Sequence, residues 1–427
     1  MPASVCGTYP ATRGAAMRIL AISFDLPPLL RPQAIQIGRL LAHLPERFRL
    51  HMVTASDPSA IQDHGLYPHL YDRFASVLQL RFRDNWLLLI ARTLARVILP
   101  IPDAYLFWHL IAAPRITARW QRSHFDCIAT FAFPMSTNLL GLWLRRRWQL
   151  EWVAFFSDPW TRNPYFKYGW LGEKVNAWLE RRVVEAATAL VFPSEEMRDR
   201  YASQYPGSAG KMRVISHSFD PSLYARPVAR SRRPLLLRYV GNFYGQRTAT
   251  TFLTALGRLK ERGDVREGDV VFETVGTVSR KHIKLYEQIV RKYDLGSIVR
   301  VKPPVPYAAS LQLMQEADVL VLLDAAMDGS VYFPSKLADY VGAGRPVLGL
   351  TPEDGASARV LRRVGGWIVP PGDIGAIQRR IVQLLEYRAS GRLEEYIPSK
   401  DAAQCFSIER NAQQVAKIFD ELRICRT

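Results

Sequence analysis

Short uninterrupted apolar runs alternate along this chain with segments whose apolar residues recur every three or four positions. MRILAIS (17–23) and HMVTAS (51–56) have strand length. Between them Ile37, Leu40, Leu41 and Leu44 share one face of a helix predicted over 33–44. Strand-like runs return at 126–131, 152–157, 189–194 and 211–218, with helices expected at about 137–148 and 173–187. A chain that opens with strand, loop, helix and strand is starting a doubly wound α/β domain. Residues 57–125, rich in aromatics and Arg, show no clear period and are read as irregular.

The pattern breaks at PSLYARPVARSRRP (221–234), where Pro and Arg replace any apolar period, and this stretch is read as a linker. LLLRYVG (235–241) then restarts the alternation. Helices are expected over 248–262, 282–293, 308–316 and 373–388, and strands over 270–275, 298–301, 317–324 and 346–350. A further helix carries Leu337, Tyr340 and Val341 and is ended by Gly342 and Gly344. The last amphipathic stretch, 406–423, is expected to pack back on the first domain. The predicted organisation has five parts: a disordered extension (1–16), a Rossmann-like domain (17–220), the linker (221–234), a second Rossmann-like domain (235–400) and a returning C-terminal helix (401–427).

A length of 427 residues suits two domains, and 48% hydrophobic with 22% charged residues suits a large buried core. The net charge of +18 points to an acidic partner: nucleic acid, an anionic membrane surface or a phosphorylated substrate. No reader motif and no interleaving of basic with aromatic residues favours a specific nucleic acid. Arg instead recurs in short clusters at 145–147, 181–182 and 379–380. Cys6, Cys127, Cys405 and Cys425 lack Cys-x-x-Cys or metal spacing, which argues against a zinc module or a disulfide scaffold. The N-terminal residues show no apolar signal core. The stretch 85–102 is interrupted by Arg92 and Arg96 and is not a clean span, and residues 83–101 read as a basic amphipathic helix, at a membrane surface or against the core.

Candidate chemistry gathers in two loops that follow strands of the second domain. In SVYFPSKLADYVGAGRPVLGL (330–350), Pro334, Ser335 and Lys336 stand at a helix mouth, with Ser335 the expected N-cap. Asp339 is one helical turn further on the same face as Ser335. In GNFYGQRT (241–248), Gly241 and Gly245 let backbone approach a ligand, and Arg247 precedes a helix. The spacing is not that of a Walker A loop. Both loops lie on the carboxyl-end rim of one sheet, where a diphosphate between Arg247 and Lys336 would be stabilised as leaving-group charge builds. No metal-binding Asp-x-Asp pattern is present, so no metal is expected. In the first domain, Asp158 (FFSDPWTRNP) either orients an acceptor hydroxyl or starts a turn. His217 is either a base or a structural histidine, and Pro27 and Pro28 shape a loop expected to face the cleft.

These pieces together resemble a GT-B fold glycosyltransferase, similar to family 4 enzymes of bacterial polysaccharide biosynthesis. The resemblance runs from MRILAIS…PP through WVAFFSDPWTRNP and KMRVISHSFDPSLY to RYVGNFYGQRT and VYFPSKLADYVGAGRPVLGL. It implies two Rossmann-like domains facing across a cleft and a retaining, hexosyltransferase-type activity. It also implies a nucleoside-diphosphate sugar as co-substrate with no other cofactor, and a glycan or lipid-linked acceptor. A cytoplasmic location follows, with peripheral contact at the anionic inner face of the plasma membrane. Asp339 takes the place of the family's second Glu, which holds the donor ribose; Ser335, Lys336 and Arg247 take the diphosphate positions. The chain departs from the family at Val331, where the first Glu is expected. It also carries Leu29, Leu30 and Arg31 in place of a double glycine. A UDP-sugar epimerase of the same fold and a catalytically inactive GT-B-like protein are the alternatives.

Overall fold

The structure is a computed structural model and describes residues 16–82, 101–166, 168–224, 234–243, 247–327 and 329–424. The first domain is built on seven parallel strands. They are β1 (Met17–Ser23), β2 (Phe48–Ser56), β3 (Phe74–Arg81), β4 (Cys127–Ala132), β5 (Glu151–Phe156), β6 (Ala189–Phe192) and β7 (Met212–Val214). Their order is 3-2-1-4-5-6-7, so the winding reverses between β1 and β4, where Ile19 pairs with Leu50 on one side and Cys127 on the other.

Helix α1 (Pro32–His43) covers one face of this sheet. The other is covered by α2 (Leu106–Arg119), α3 (Ser136–Trp148), α4 (Trp170–Ala186) and α5 (Glu195–Gln204).

The second sheet has six parallel strands: β8 (Leu235–Val240), β9 (Val270–Val275), β10 (Val299–Lys302), β11 (Val319–Leu323), β12 (Val347–Leu350) and β13 (Trp367–Val369). The order 10-9-8-11-12-13 repeats the winding of the first. One face carries α6 (Thr250–Glu261), α7 (Arg280–Lys292) and α11 (Ile374–Ala389). The other carries α8 (Tyr307–Glu316), α9 (Ser335–Gly342) and α10 (Ala356–Val364). After α12 (Lys400–Gln404) the chain crosses back, and α13 (Ile408–Ile424) buries Val415, Ile418 and Phe419 beside Ile19, Ile37 and Leu41 of the first domain. The returning helix expected from the sequence is therefore present.

Residues 57–125 are more ordered than the sequence suggests, because they hold β3 and α2. As an edge strand, β3 is covered on fewer sides, so Ser76 and Gln79 interrupt its apolar run. Helix α2 buries Trp108, Ala112 and Ile116 yet also exposes Phe107, Leu110 and Ile111, and it contains Pro114. Apolar residues on both faces erase the period by which helices are recognised. Helices α5 and α10 and the three-residue β13 were likewise not anticipated. The N-terminal extension up to residue 15, residues 83–100 of the candidate amphipathic helix and residues 225–233 of the linker lie outside the described residues. No helix among the described residues is long and apolar enough to cross a membrane.

Candidate active site

Both sheets turn their carboxyl ends toward one cavity of about 1080 Å³. Phe131, Phe155 and Phe192 bring the ends of β4, β5 and β6 to it, and Val240 and Val275 bring those of β8 and β9.

Strand β8 runs into Gly241, whose φ of +140° suits glycine, and where a Cβ would collide with Lys336 Nζ. Gly276 follows β9 in the same way, at φ +142°, and a Cβ there would strike the Gly241 carbonyl. Bare Gly276 admits the Gly241 backbone, and bare Gly241 admits Lys336, the second residue of α9. Its Nζ donates to Tyr239 Oη at 2.6 Å and stands 4.1 Å from the centre of that ring. Burial and then the Arg247 charge lower Lys336 to about 7, while Asp324 at the end of β11 pulls the other way. Arg247 is itself buried, three residues before α6. Two cations held this close in a buried corner repel each other, and an anion between them would relieve that repulsion. Pro334 occupies the cap position of α9 with no side-chain cap, so Ser335 is the first helical residue and not the expected N-cap. The proline fixes the entry φ, at −63°, in place of a capping side chain.

Asp339 is buried one turn into α9, and three donors converge on its Oδ1. They are Arg39 Nη2 at 3.1 Å, Tyr307 Oη at 2.9 Å and Tyr224 Oη at 3.4 Å. Arg39 comes from α1 in the other domain, is fully buried, and also donates to Tyr67, Tyr307 and the Ser218 carbonyl. Burial raises the Asp339 carboxyl, and Arg39 opposes that rise.

On the first-domain wall, Asp158 follows β5 with Ser157 Oγ 3.1 Å from its Oδ2. Burial raises its carboxyl; Ser157 and then Arg247 counteract this, so Arg247 acts on both walls. His217 lines the cavity 5.5 Å from the Phe333 ring centre, and burial with the Arg39 charge lowers it to about 4. It is a neutral ring near pH 7. The loop of Pro27 and Pro28 does face the cavity, through Asp25 and Leu30, but the two prolines themselves, expected at the cleft, do not line it. Pro27 packs against Gly38 of α1, so the loop instead presents Leu30 and Arg31, the latter held by Asp25 at 2.7 Å. Gly245 lies outside the described residues.

The profile described as Glycosyltransferase Family 4 matches residues 33–223, and that of Glycosyl transferases group 1 matches residues 234–387. The chain is a glycosyltransferase of the GT-B fold, similar to family 4. Solved structures share the architecture. HepE from Anabaena in complex with UDP is 14% identical with a TM-score of 0.64, over 95% of this chain and 100% of that one. Sucrose-phosphate synthase from Thermosynechococcus elongatus is 18% identical with a TM-score of 0.67, over 96% and 100%. The lipopolysaccharide outer core galactosyltransferase WaaB is 15% identical with a TM-score of 0.57, over 96% and 100%. No curated protein matches.

In this glycosyltransferase Val331 has a structural task. Its side chain is buried and joins the first domain's core cluster, and its carbonyl accepts Ser194 Oγ at 2.7 Å. An apolar residue fits that contact between domains, and an acid there would be buried in it. Sequence reasoning missed Gly276, Tyr239, Arg39 and the two tyrosines on Asp339. Gly276 had a visible signal, since VVFETVG repeats the strand-then-glycine pattern of LLLRYVG. Arg39 had none.

Proposed function

We propose that this glycosyltransferase moves a sugar from a nucleoside-diphosphate sugar to a glycan or lipid-linked acceptor, with retention and without a metal. One observation carries the reading: Lys336 and Arg247, supplied by separate segments, bring two positive charges to one buried corner of the cavity. As the bond from the anomeric carbon to the phosphate oxygen breaks, both charges stabilise the departing diphosphate. The acceptor oxygen bonds to the anomeric carbon on the same face, and its proton passes to the leaving phosphate oxygen. Asp158, on the opposite wall, orients the acceptor hydroxyl. Asp339, whose Oδ1 is already engaged, offers Oδ2 to the donor ribose. The HepE structures in complex with UDP and with UDP-glucose support the class of donor.

Calorimetry with UDP tests the corner directly. Arg247→Ala and Lys336→Ala are each expected to weaken binding by at least about tenfold with an unchanged circular dichroism spectrum. Unaltered binding in both removes the assigned diphosphate site. Incubation with UDP-sugars and no acceptor separates the epimerase alternative, which alone yields an epimer.

A further inference from the structure

Of the twelve exposed large hydrophobic side chains among the described residues, seven stand on α2, α3 and α4. Singly exposed apolar residues are ordinary on a soluble surface, but a cluster of this kind marks an interaction site. The three helices lie side by side on one face of the first sheet, with α3 packed against both neighbours. Trp170 is 71% exposed, Leu110 58% and Trp178 54%.

The same face is basic. Helix α2 presents Phe107, Leu110 and Ile111 along an exposed stripe that continues into Arg115 and Arg119. Helix α3 presents Trp143, then Arg146 and Arg147; neither α2 nor α3 contains an acid. Helix α4 presents Trp170, Leu171 and Trp178 with Lys174, Arg181 and Arg182, against Glu173 and Glu185. Lys174 lies 4.1 Å from the Trp170 ring centre, Arg182 5.2 Å from that of Trp178 and Arg147 5.7 Å from that of Trp143. These cations make no ion pair among the described residues. Two of the Arg runs that look scattered in the sequence, 145–147 and 181–182, thus meet on this face, and each sets one Arg against an indole.

The first turns of α2 and α4 lie at the carboxyl ends of the strands, beside the cavity, where Tyr105 just ahead of α2 lines its wall. Apolar groups therefore crowd the rim nearest the cavity, and most of the cations sit toward the far ends of the helices. We propose that the outer face of α2, α3 and α4 docks on an anionic lipid bilayer. Trp, Phe and Leu enter the interfacial layer while Arg and Lys meet the headgroups. Charge decides between occupants. A second copy would bring the same excess of cations onto itself, whereas an anionic bilayer accepts both the charge and the indoles. The proposal deepens the acceptor reading, because a docked face holds the cavity mouth against the membrane. It stands apart from the diphosphate site and can fail alone.

Co-sedimentation of the full chain with vesicles of phosphatidylcholine containing about one-third phosphatidylglycerol tests it. The protein should pellet with these vesicles and not with phosphatidylcholine alone. About 1 M salt, where the Debye length is about 3 Å, should weaken the binding. The variant R146E/R147E/R181E/R182E should bind at least about a hundredfold more weakly, since each cation near such a surface is worth about fivefold. The variant L110A/W170A/W178A should bind at least about tenfold more weakly. Both should keep the wild-type circular dichroism spectrum and affinity for UDP. Three results overturn the proposal: no pelleting of the wild-type protein, variants that pellet like it, or a dimer or duplex-DNA complex that these substitutions disperse while vesicle binding persists.

Discussion

Lys336 concentrates the residue-scale physics of the site. Burial and Arg247 hold it near 7, so its ammonium is partly lost just above neutrality when the corner is empty. A diphosphate needs that charge. Affinity for UDP is therefore expected to fall as pH rises through about 7, approaching tenfold per unit on the alkaline side. Lys336→Ala should flatten that limb while Tyr239→Phe, which removes only the hydroxyl acceptor, should leave it in place. Calorimetric titration between about pH 6 and 9 checks this, and a wild-type profile without the fall would mean that Lys336 does not meet the anion. Lys336, Arg247 and Gly241 were legible in the sequence because each belongs to a local strand, loop and helix whose geometry fixes where it points. Tyr239 was not, since its hydroxyl joins Lys336 only when two strands and α9 are assembled.

At the scale of elements, α1 and α9 are tied by the buried pair of Arg39 and Asp339, with Tyr307 and Tyr224 completing the carboxylate's partners. Breaking one side of a buried pair leaves an uncompensated charge and costs about 3–5 kcal/mol. Arg39→Met should lose about that much in urea unfolding. The double variant R39M/D339N should lose less than the two single losses added, because the second change removes the stranded charge. A cost below about 1 kcal/mol for Arg39→Met would show that the pair contributes little to the contact between domains. No sequence pattern announces such a pair, whose members lie in different domains. Helix α2 failed to show itself for a related reason. Its outward apolar face, useful at a surface, cancels the polar face by which a helix is read. Helix α9 was plain because Leu337, Tyr340 and Val341 are buried on a single side before Gly344.

Across the whole molecule, the restart of alternation at residue 235 was enough to show two sheets, since each parallel sheet needs its own succession of strands and crossovers. How firmly they hold together depends on contacts spread along the chain. Ser194 meets Val331, Asn163 meets Tyr332 at 2.8 Å, and Asp63 accepts the Tyr307 amide at 3.0 Å. Helix α13 adds a second covalent crossing and places Phe419 5.5 Å from Phe48 in the first core. The exposed bridges from Arg359 to Glu195 and Glu196 should add under about 1 kcal/mol. Buried contacts of this kind predict one cooperative unfolding transition for the intact chain. UDP at about 100 times its Kd should move that transition as a unit by about 2.7 kcal/mol. Phe419→Ala, which costs about 3–5 kcal/mol in the first core alone, should loosen α13 and split the calorimetric trace in two. UDP should then shift only the transition of the second domain, which carries Lys336 and Arg247. Two transitions in the wild-type trace, or a UDP shift of both in the variant, would place the coupling elsewhere than α13.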